Sequence, residues 1–287
     1  MSFTYKDRVI TLNNYLDVFR GYEPDILDEI RSAILDDTPI SPFINSCGSD
    51  SYKLGQFRLA LREYLPTEYL NPHLSGRNLY LIRQGFHLGV DMNQVLPYIN
   101  EVCILDNDVL SKVIEVVLTG TDITNIDFNL VTNDTVDVIC EGLIKGYPMW
   151  LFVSATMHYT SSYIRHLLKG MQLGIDIHPF LDDRWSEEQV VFLLNYARHI
   201  DINAIVNQIN PYFSIQHIEE IIQAKLKGLD ITCLCLKDDK FKPLFNPSQM
   251  KMLRLALEGN FDVSSLLNPD LSPEQMGDLI RKGEVEL

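Results

Sequence analysis

The 287-residue sequence has no uninterrupted apolar stretch of about 18 residues, the length that a helix needs to cross a bilayer. Its first residues, MSFTYKDRVITLNNYL, carry charges and lack the apolar segment of a secretory signal peptide. We therefore expect a cytoplasmic protein that does not contact a membrane.

Cysteine is scarce. The chain has five cysteines, an odd number that does not fit a complete disulfide framework. Cys233 and Cys235 are close in sequence, but no second pair completes a zinc-ligand pattern. The others, Cys47, Cys103 and Cys140, lie in apolar segments. We predict that all five are small core side chains in a reducing compartment.

Motifs of catalysis and cofactor binding are missing. The sequence has no Gly-x-Ser-x-Gly, no phosphate-binding glycine loop, no dinucleotide fingerprint and no His-Glu-x-x-His. Its histidines are scattered singly, and neither Asp106-Asn107-Asp108 nor Asp182-Asp183 has the glycine and distal glutamate of a calcium loop. We predict that the protein is not an enzyme and binds no metal or cofactor.

Positive charge is also scarce. The 24 Lys and Arg residues stand against 39 Asp and Glu residues, which gives a formal net charge of -15. Such a charge repels nucleic-acid phosphate at long range, and it favours basic partners or simply solubility.

The sequence does contain a repeated pattern. Pro247-Ser248-Gln249-Met250 recurs as Pro273-Glu274-Gln275-Met276, and each copy opens an apolar run that closes at a glycine. An aliphatic or proline position just after such stops recurs about every 28 residues, a period typical of stacked helical repeats. These positions are Ile40, Pro66, Met92, Ile123, Met149, Ile177, Ile202, Ile231 and Val263.

Local chemistry marks both ends of the repeated helix. Ser186, Asn246 and Ser272 stand three residues before a Gln, which predicts capping boxes at three helix starts. The predicted left-handed helix stops are Gly89, Gly120, Gly146, Gly174, Gly228 and Gly259. The aspartates that follow most stops are predicted to cap short second helices rather than to bind metal: Asp91, Asp122, Asp176, Asp230 and Asp262.

These patterns predict an all-α fold, a right-handed α-solenoid of about nine short repeats with a period of about 28 residues. Residues 1–22 form an N-terminal capping segment. Residues 23–287 form one continuous repeat domain, in which the last helix, 273–282, is the C-terminal cap.

The most regular copy of the repeat resembles a known family pattern, QMxxIRxGLExGLDVSxYADPxF. The matching residues are Gln249, Met250, Leu253, Arg254, Ala256, Leu257, Gly259, Asp262, Val263, Ser264 and Asn268-Pro269. The pattern occurs in uncharacterised helical-repeat proteins of anaerobic Firmicutes and their mobile elements and phages. The resemblance covers roughly two thirds of the chain and departs from the pattern at Tyr147-Pro148-Met149 and His199. It implies a solenoid scaffold carried by mobile elements and brings no active site.

Acidic residues are concentrated between Gln84 and Ile144, where ten acids stand against the single base Lys112. Because neighbouring repeats are neighbours in space, we predict one acidic face that mimics phosphate and binds a basic protein or nucleoprotein complex; a solvated surface is the alternative. The candidate partner-binding residues are Asp91, Glu101, Asp106, Asp108, Glu115, Asp122, Asp127, Asp134, Asp137 and Glu141. The leading hypothesis is a non-enzymatic protein-interaction module. Its resemblance suggests a mobile-element or phage inhibitor of a host defence complex, in the manner of an anti-CRISPR protein.

A second stretch has the opposite charge. From Lys225 to Arg254 seven bases stand against three acids, a net charge of +4, with Phe241 and Phe245 as the aromatic residues. The alternative hypothesis is a nucleic-acid-binding repeat protein that uses Lys225, Lys227, Lys237, Lys240, Lys242, Lys251 and Arg254. The leading hypothesis does not expect direct contact with nucleic acid, and the oligomeric state stays open.

Overall fold

The computed structural model describes residues 2–99, 105–153 and 159–285, and most of them are helical. This confirms the all-α class. One small antiparallel hairpin has strands β1 (Phe3–Tyr5) and β2 (Arg8–Ile10). The α-helices are α1 (Tyr15–Val18), α2 (Pro24–Asp36), α3 (Ser41–Cys47), α4 (Ser51–Arg62), α5 (Gly76–Leu88), α6 (Asn107–Leu118), α7 (Val136–Ile144), α8 (Ser161–Gln172), α9 (Glu187–Asn195), α10 (Ile202–Val206), α11 (Ile215–Leu226), α12 (Pro247–Glu258) and α13 (Pro273–Val285).

Short 3-10 helices follow most of the longer α-helices. They are Thr67–Tyr69, Met92–Tyr98, Phe128–Leu130, Met149–Phe152, His178–Leu181, Thr232–Cys235 and Val263–Leu266. Within the described ranges, no helix is both long enough and apolar enough to cross a bilayer.

The chain divides into two compact units, Met1–His158 and Tyr159–Leu287. In the first unit α2 packs on α4, and α4, α5, α6 and α7 each pack on the next. In the second unit α8 packs on α9, and α9, α11, α12 and α13 each pack on the next helix in that order. The hairpin lies in the predicted N-terminal capping segment. It turns at Lys6 and Asp7, whose φ angles of 44° and 62° fit the type I′ turn that joins two tightly paired strands.

The longer helices bury one face, as their spacing of apolar residues predicts. In α6 the residues Val109, Leu110, Val113, Ile114 and Val117 are all buried, at intervals of one, three and four positions. The predicted capping boxes form as well: Ser186 with Gln189, Asn246 with Gln249, and Ser272 with Gln275 exchange side-chain and backbone hydrogen bonds.

Most predicted helix stops are confirmed. Left-handed φ angles occur at Gly89 (69°), Gly120 (81°), Gly146 (75°), Gly174 (76°) and Gly228 (74°). Two further left-handed stops have side chains, Asp37 (57°) and Tyr64 (59°), and therefore escaped a search for glycine.

The prediction for Gly259 is wrong. Its φ is -82°, and Asn260, with a φ of 57°, is the left-handed residue. Gly259 serves a different need, because a Cβ at this position would lie 2.4 Å from the ring of Phe261. A close approach, rather than a turn, therefore requires the glycine.

A hydrogen bond across most of the stops accompanies a further regularity in the sequence. The N–H after the stop donates to a carbonyl near the helix end, as in Val90 to Gly85 at 3.0 Å. The accepting residue is Ala or Gly at seven stops: Ala33, Ala60, Gly85, Gly142, Gly170, Ala224 and Ala256. At six of these, the aliphatic position of the repeat follows seven residues later.

Side-chain amides at two helix starts reach the segment that precedes the next long helix. Gln249 uses Oε1 to accept the N–H of Asn246 at 2.8 Å, while its Nε2 donates to the carbonyls of Pro269 (2.7 Å) and Leu271 (2.9 Å). Gln189, at the start of α9, makes the same contacts: it accepts the N–H of Ser186 and donates to the carbonyls of Pro211 and Phe213. The same glutamine therefore caps its own helix and holds the segment that leads into the next long helix.

Arginine side chains with little solvent exposure form a second connection between neighbouring helices. In the first unit, Arg58 Nε lies 2.8 Å from Glu29 Oε2, and Arg83 Nη1 donates to Gln56 Oε1 at 2.7 Å. Glu29 and Gln56 occupy equivalent positions, four residues before Ala33 and Ala60 at the ends of their helices. The same relationship recurs in the second unit, where Arg254 Nε bonds to Glu220 at 2.7 Å.

Candidate functional site

Four candidate acids lie at the N-terminal ends of two adjacent helices. Asp106 caps α6 by accepting the N–H of Asp108 at 2.9 Å, and Asp134 and Asp137 lie just before and within the first turn of α7. All four are exposed. Acids at helix N-termini are favoured by the helix dipole, so local stability accounts for part of this arrangement.

Lys112 joins the two helices from the middle of α6. Its Nζ lies 2.8 Å from Asp137 Oδ1, and this hydrogen bond raises the pKa of Lys112. The charge of Asp108, one turn earlier in α6, also acts on Lys112. We call Asp106, Asp108, Asp134 and Asp137 the acidic edge; after pairing with Lys112 it keeps an excess of negative charge.

Three more candidates lie in the links between helices. The Oδ1 atoms of Asp91, Asp122 and Asp127 accept the N–H two residues on, at 3.1, 2.9 and 3.1 Å. The N–H of Thr124 thereby lowers the pKa of Asp122. Because the 12 residues of α6 span about 18 Å, Asp122 lies well away from Asp106 at the other end of the helix. Of the aspartates predicted to cap short helices, Asp91 and Asp262 do so, whereas no helix begins after Asp122 and the 3-10 helix in that link is capped by Asp127.

The remaining candidates are paired or lie outside the described residues. Glu115 Oε1 is 2.5 Å from Arg77 Nη2, and Glu141 Oε1 is 2.6 Å from Lys145 Nζ one turn later in the chain. Glu101 lies outside the described residues. The structure therefore places the candidate acids in separate groups, of which the acidic edge concentrates exposed charge on neighbouring helices.

Two of the basic candidates have structural partners. Arg254 contacts both Glu220 and Glu258, and its side chain is only 11% exposed. Lys227 Nζ is 2.6 Å from Glu258 Oε2. Both cations pair with acids of the adjacent helix, and Arg254 is largely removed from solvent, whereas Lys251 is exposed on α12.

The other basic candidates are Lys225, which is half-buried at the end of α11, and Lys237, Lys240 and Lys242 in the turn 237–243. Sequence reasoning found Phe241 in this turn but missed Tyr212. Tyr212 lies 29 positions earlier and is brought near by Asn210, whose Nδ2 donates to the carbonyl of Phe241 at 2.7 Å. No signal in the local sequence pairs the two aromatic residues.

The thiols are protected. Cys47, Cys140 and Cys235 are buried, and burial raises their pKa values to about 11, 12 and 12. Cys233 is half-buried, and Cys103 lies outside the described residues. Three of the predicted core cysteines are thus confirmed as buried, and a thiol with a raised pKa is a poor nucleophile at neutral pH.

The part of the chain that the structure describes holds no group of three His, Cys, Asp or Glu side chains able to bind a metal ion. It also has no buried side-chain nitrogen or oxygen without a hydrogen-bond partner. A cavity of about 480 Å³ near the end of α13 is lined mainly by Phe261, Leu266, Leu279 and Ile280, together with Asp262, which caps its own link. The lining contains no set of groups arranged for acid, base or nucleophilic chemistry.

Protein-family models, curated proteins and solved structures were each compared with this chain, and none of them matches it.

Proposed function

We propose that this chain is a non-enzymatic protein-interaction module whose acidic edge binds a basic, nucleic-acid-binding protein. The supporting observation is the local excess of exposed negative charge: of the nine described acids between Gln84 and Ile144, eight are exposed and Lys112 is the one base. Such a surface steers a positively charged partner toward it and competes for the partner's phosphate-binding groove.

A right-handed solenoid is the architecture that we propose for the two units. Hydrogen bonds between consecutive repeats support it in the first unit, where Asn71 Nδ2 donates to the carbonyl of Ile99 and the Tyr98 hydroxyl donates to the carbonyl of Ile126, both at 2.7 Å. In the second unit Gln189 bridges to the carbonyl of Phe213 at 2.6 Å. Repeats stacked in this way present equivalent positions as a continuous surface.

The resemblance of the repeat to those of mobile elements and phages suggests a more specific role. On this basis the module inhibits a host nucleic-acid-binding or defence complex in the cytoplasm. The buried thiols fit a reducing compartment.

The partner is to be captured from lysate of the source cell with the full-length protein and identified by mass spectrometry. Affinity is then measured at increasing salt for the wild type and for a variant with Asp108, Asp134 and Asp137 of the acidic edge changed to Lys. We expect the variant to bind at least about tenfold more weakly, and the wild-type affinity to fall as salt rises.

The control variant changes Asp25, Asp28 and Glu68 to Lys, because these acids are exposed in the same unit but outside the acidic edge. It alters net charge by the same amount. Circular dichroism establishes that both variants are folded. Equal weakening by both variants would show that total charge, and not the acidic edge, drives association, and unchanged affinity in both would rule out the proposal.

A further inference from the structure

The turn 237–243 of the second unit presents an aromatic side chain to solvent. An antiparallel bridge between its two ends closes the turn, and Asp238 Oδ1 accepts the N–H groups of Lys240 (2.9 Å) and Lys242 (2.8 Å). Phe241, near the tip, is 68% exposed and has a φ of 62°. A bulky side chain in the left-handed region is unfavourable, and an exposed ring adds nothing to the core. Folding alone therefore does not explain a phenylalanine here.

A second exposed aromatic residue lies on the adjoining loop. One side-chain amide joins the two segments, since Asn210 donates to the carbonyl of Phe241 at 2.7 Å and accepts the N–H of Tyr212 at 3.1 Å. Tyr212 is 45% exposed, and the guanidinium carbon of Arg184 lies 5.5 Å from its ring centroid. The Arg184 guanidinium lies over this ring, donates to the Tyr212 hydroxyl at 3.2 Å and is paired with Asp182 at 2.5 Å.

Cations flank these rings. Lys240 and Lys242 are exposed, and among the described residues neither forms an ion pair, in contrast to Lys227, which is held by Glu258. Of the acids in the turn, Asp238 is engaged by the backbone, and Asp239 is exposed. The turn therefore combines available positive charge with an exposed ring on a backbone that is already ordered.

We propose that Arg184, Tyr212, Lys240, Phe241 and Lys242 form a binding surface for single-stranded nucleic acid. Unpaired bases stack on the aromatic rings and the guanidinium group, and the two lysines contact phosphates. A duplex keeps its base faces inside the helix, and an acidic peptide would satisfy the lysines but offer the rings no flat partner. This surface lies in the second unit and does not depend on the function proposed for the acidic edge.

Fluorescence anisotropy of the full-length protein with labelled oligo-dT and oligo-U of about ten nucleotides tests the proposal, with a duplex of equal length in parallel. Because the whole chain carries a net charge of -15, the titrations start at low salt. The decisive variant is Phe241→Asn, since Asn tolerates the left-handed region. We expect this variant to bind single strands about tenfold more weakly while its melting temperature stays equal or rises.

Tyr64→Asn is the matched control. Tyr64 is also left-handed, with a φ of 59°, and is 91% exposed, but it ends α4 between Glu63 and Leu65 in the first unit. We expect this variant to keep wild-type affinity. Replacement of Lys240 and Lys242 by Gln should weaken binding and reduce its salt dependence, whereas Lys251→Gln, on the exposed face of α12, should change neither.

Several outcomes would overturn the proposal: no binding of either oligonucleotide at low salt, equal affinity for the duplex, or wild-type affinity in Phe241→Asn. Competition by a poly-glutamate peptide as effective as competition by unlabelled oligonucleotide would do the same, because charge alone would then suffice. Sedimentation of the wild type and of Phe241→Asn without nucleic acid tests whether the turn instead mediates self-association. If Phe241→Asn dissociates an oligomer, the turn contacts a second copy of the chain instead.

Discussion

Gly85 and Met92 occupy one space: a Cβ on Gly85 would lie 2.2 Å from Met92 Sδ and 2.9 Å from its Cγ. The pair Gly142 and Met149 repeats this relationship, again with 2.2 Å between the added Cβ and Sδ. Where the later residue is branched, the earlier one can be alanine, as in Ala33 with Ile40 and Ala224 with Ile231. The repeat thus matches side-chain sizes seven positions apart.

Gly85→Ala is expected to lower the free energy of unfolding by about 1–2 kcal/mol, because the new methyl group displaces Met92 by more than the gain in helix propensity offsets. Adding Met92→Ile should recover most of this loss, since an alanine–isoleucine pair fits elsewhere in the chain. Urea denaturation of the two single variants and the double variant measures the coupling.

Gly277→Ala is the control for this experiment. Gly277 is also inside a helix, but the atom nearest to an added Cβ is the flexible end of Met252, at 3.2 Å. We expect no loss of stability. Equal losses at Gly85 and Gly277 would contradict the size-matching explanation.

Gln249→Ala is expected to cost about 2–3 kcal/mol, because the carbonyls of Pro269 and Leu271 and the N–H of Asn246 all lose a partner. Gln275 occupies the same position in the following helix and is exposed. Its Oε1 accepts the N–H of Ser272, so Gln275→Ala should cost about 1 kcal/mol or less. Thermal and urea unfolding compare the two variants. A cost at Gln275 as large as that at Gln249 would show that capping, and not the bridge to the next repeat, accounts for both.

Arg83→Met is expected to destabilise the first unit by about 2–3 kcal/mol at neutral pH, because it removes the charged partner of Glu63 and the donor to Gln56. The hydrogen bond from Arg83 holds the pKa of Glu63 below its ordinary value of 4.5. This contribution to stability is present above pH 4.5 and is lost as the pH falls through the lowered pKa. The difference between wild type and variant should therefore shrink in acid.

Urea titrations at neutral pH and at several values below 4.5 measure that difference. His87, whose Nε2 lies 3.2 Å from Glu63, remains in both proteins. Arg77→Met removes the partner of Glu115 in an exposed pair, so it should cost below about 1 kcal/mol and change little with pH. A gap between wild type and Arg83→Met that widens in acid would contradict the assignment.

Substitutions at two left-handed helix stops should change the stability of the protein in opposite directions. Gly228, with a φ of 74°, should tolerate Ala only at a cost of about 1–2 kcal/mol, because a Cβ is unfavourable in this conformation. Tyr64→Gly relieves the same unfavourable conformation and should raise stability by up to about 1 kcal/mol. Calorimetric melting temperatures should move in opposite directions, and movement in the same direction would disprove the explanation.

Most helix ends could be predicted from the sequence, whereas contacts between helices could not. Capping boxes such as Asn246 with Gln249 depend on residues three positions apart, so the local sequence was sufficient to predict them. The stop at Tyr64 and the role of Gly259 were not predictable in this way. The first places a 91% exposed tyrosine in a backbone conformation that its side chain disfavours, and the second depends on where the ring of Phe261 lies.

For the candidate sites, too, the sequence could not show which charged residues lie together or are already paired. The sequence identified the excess of acids, but the tertiary structure separated Asp106 and Asp108 at the start of α6 from Asp122 beyond its end, and it paired Asp137 with Lys112. It also removed Arg254 from the basic candidates by burying it between Glu220 and Glu258.

The sequence by itself determined the helical class and most helix ends, because these follow from spacing along one chain segment. Only the tertiary structure decided which charges remain available and which segments adjoin one another, such as those that carry the exposed rings of Tyr212 and Phe241. These properties depend on contacts between residues about one repeat apart, as with Asn210 and Phe241, and the register of those contacts is set by packing.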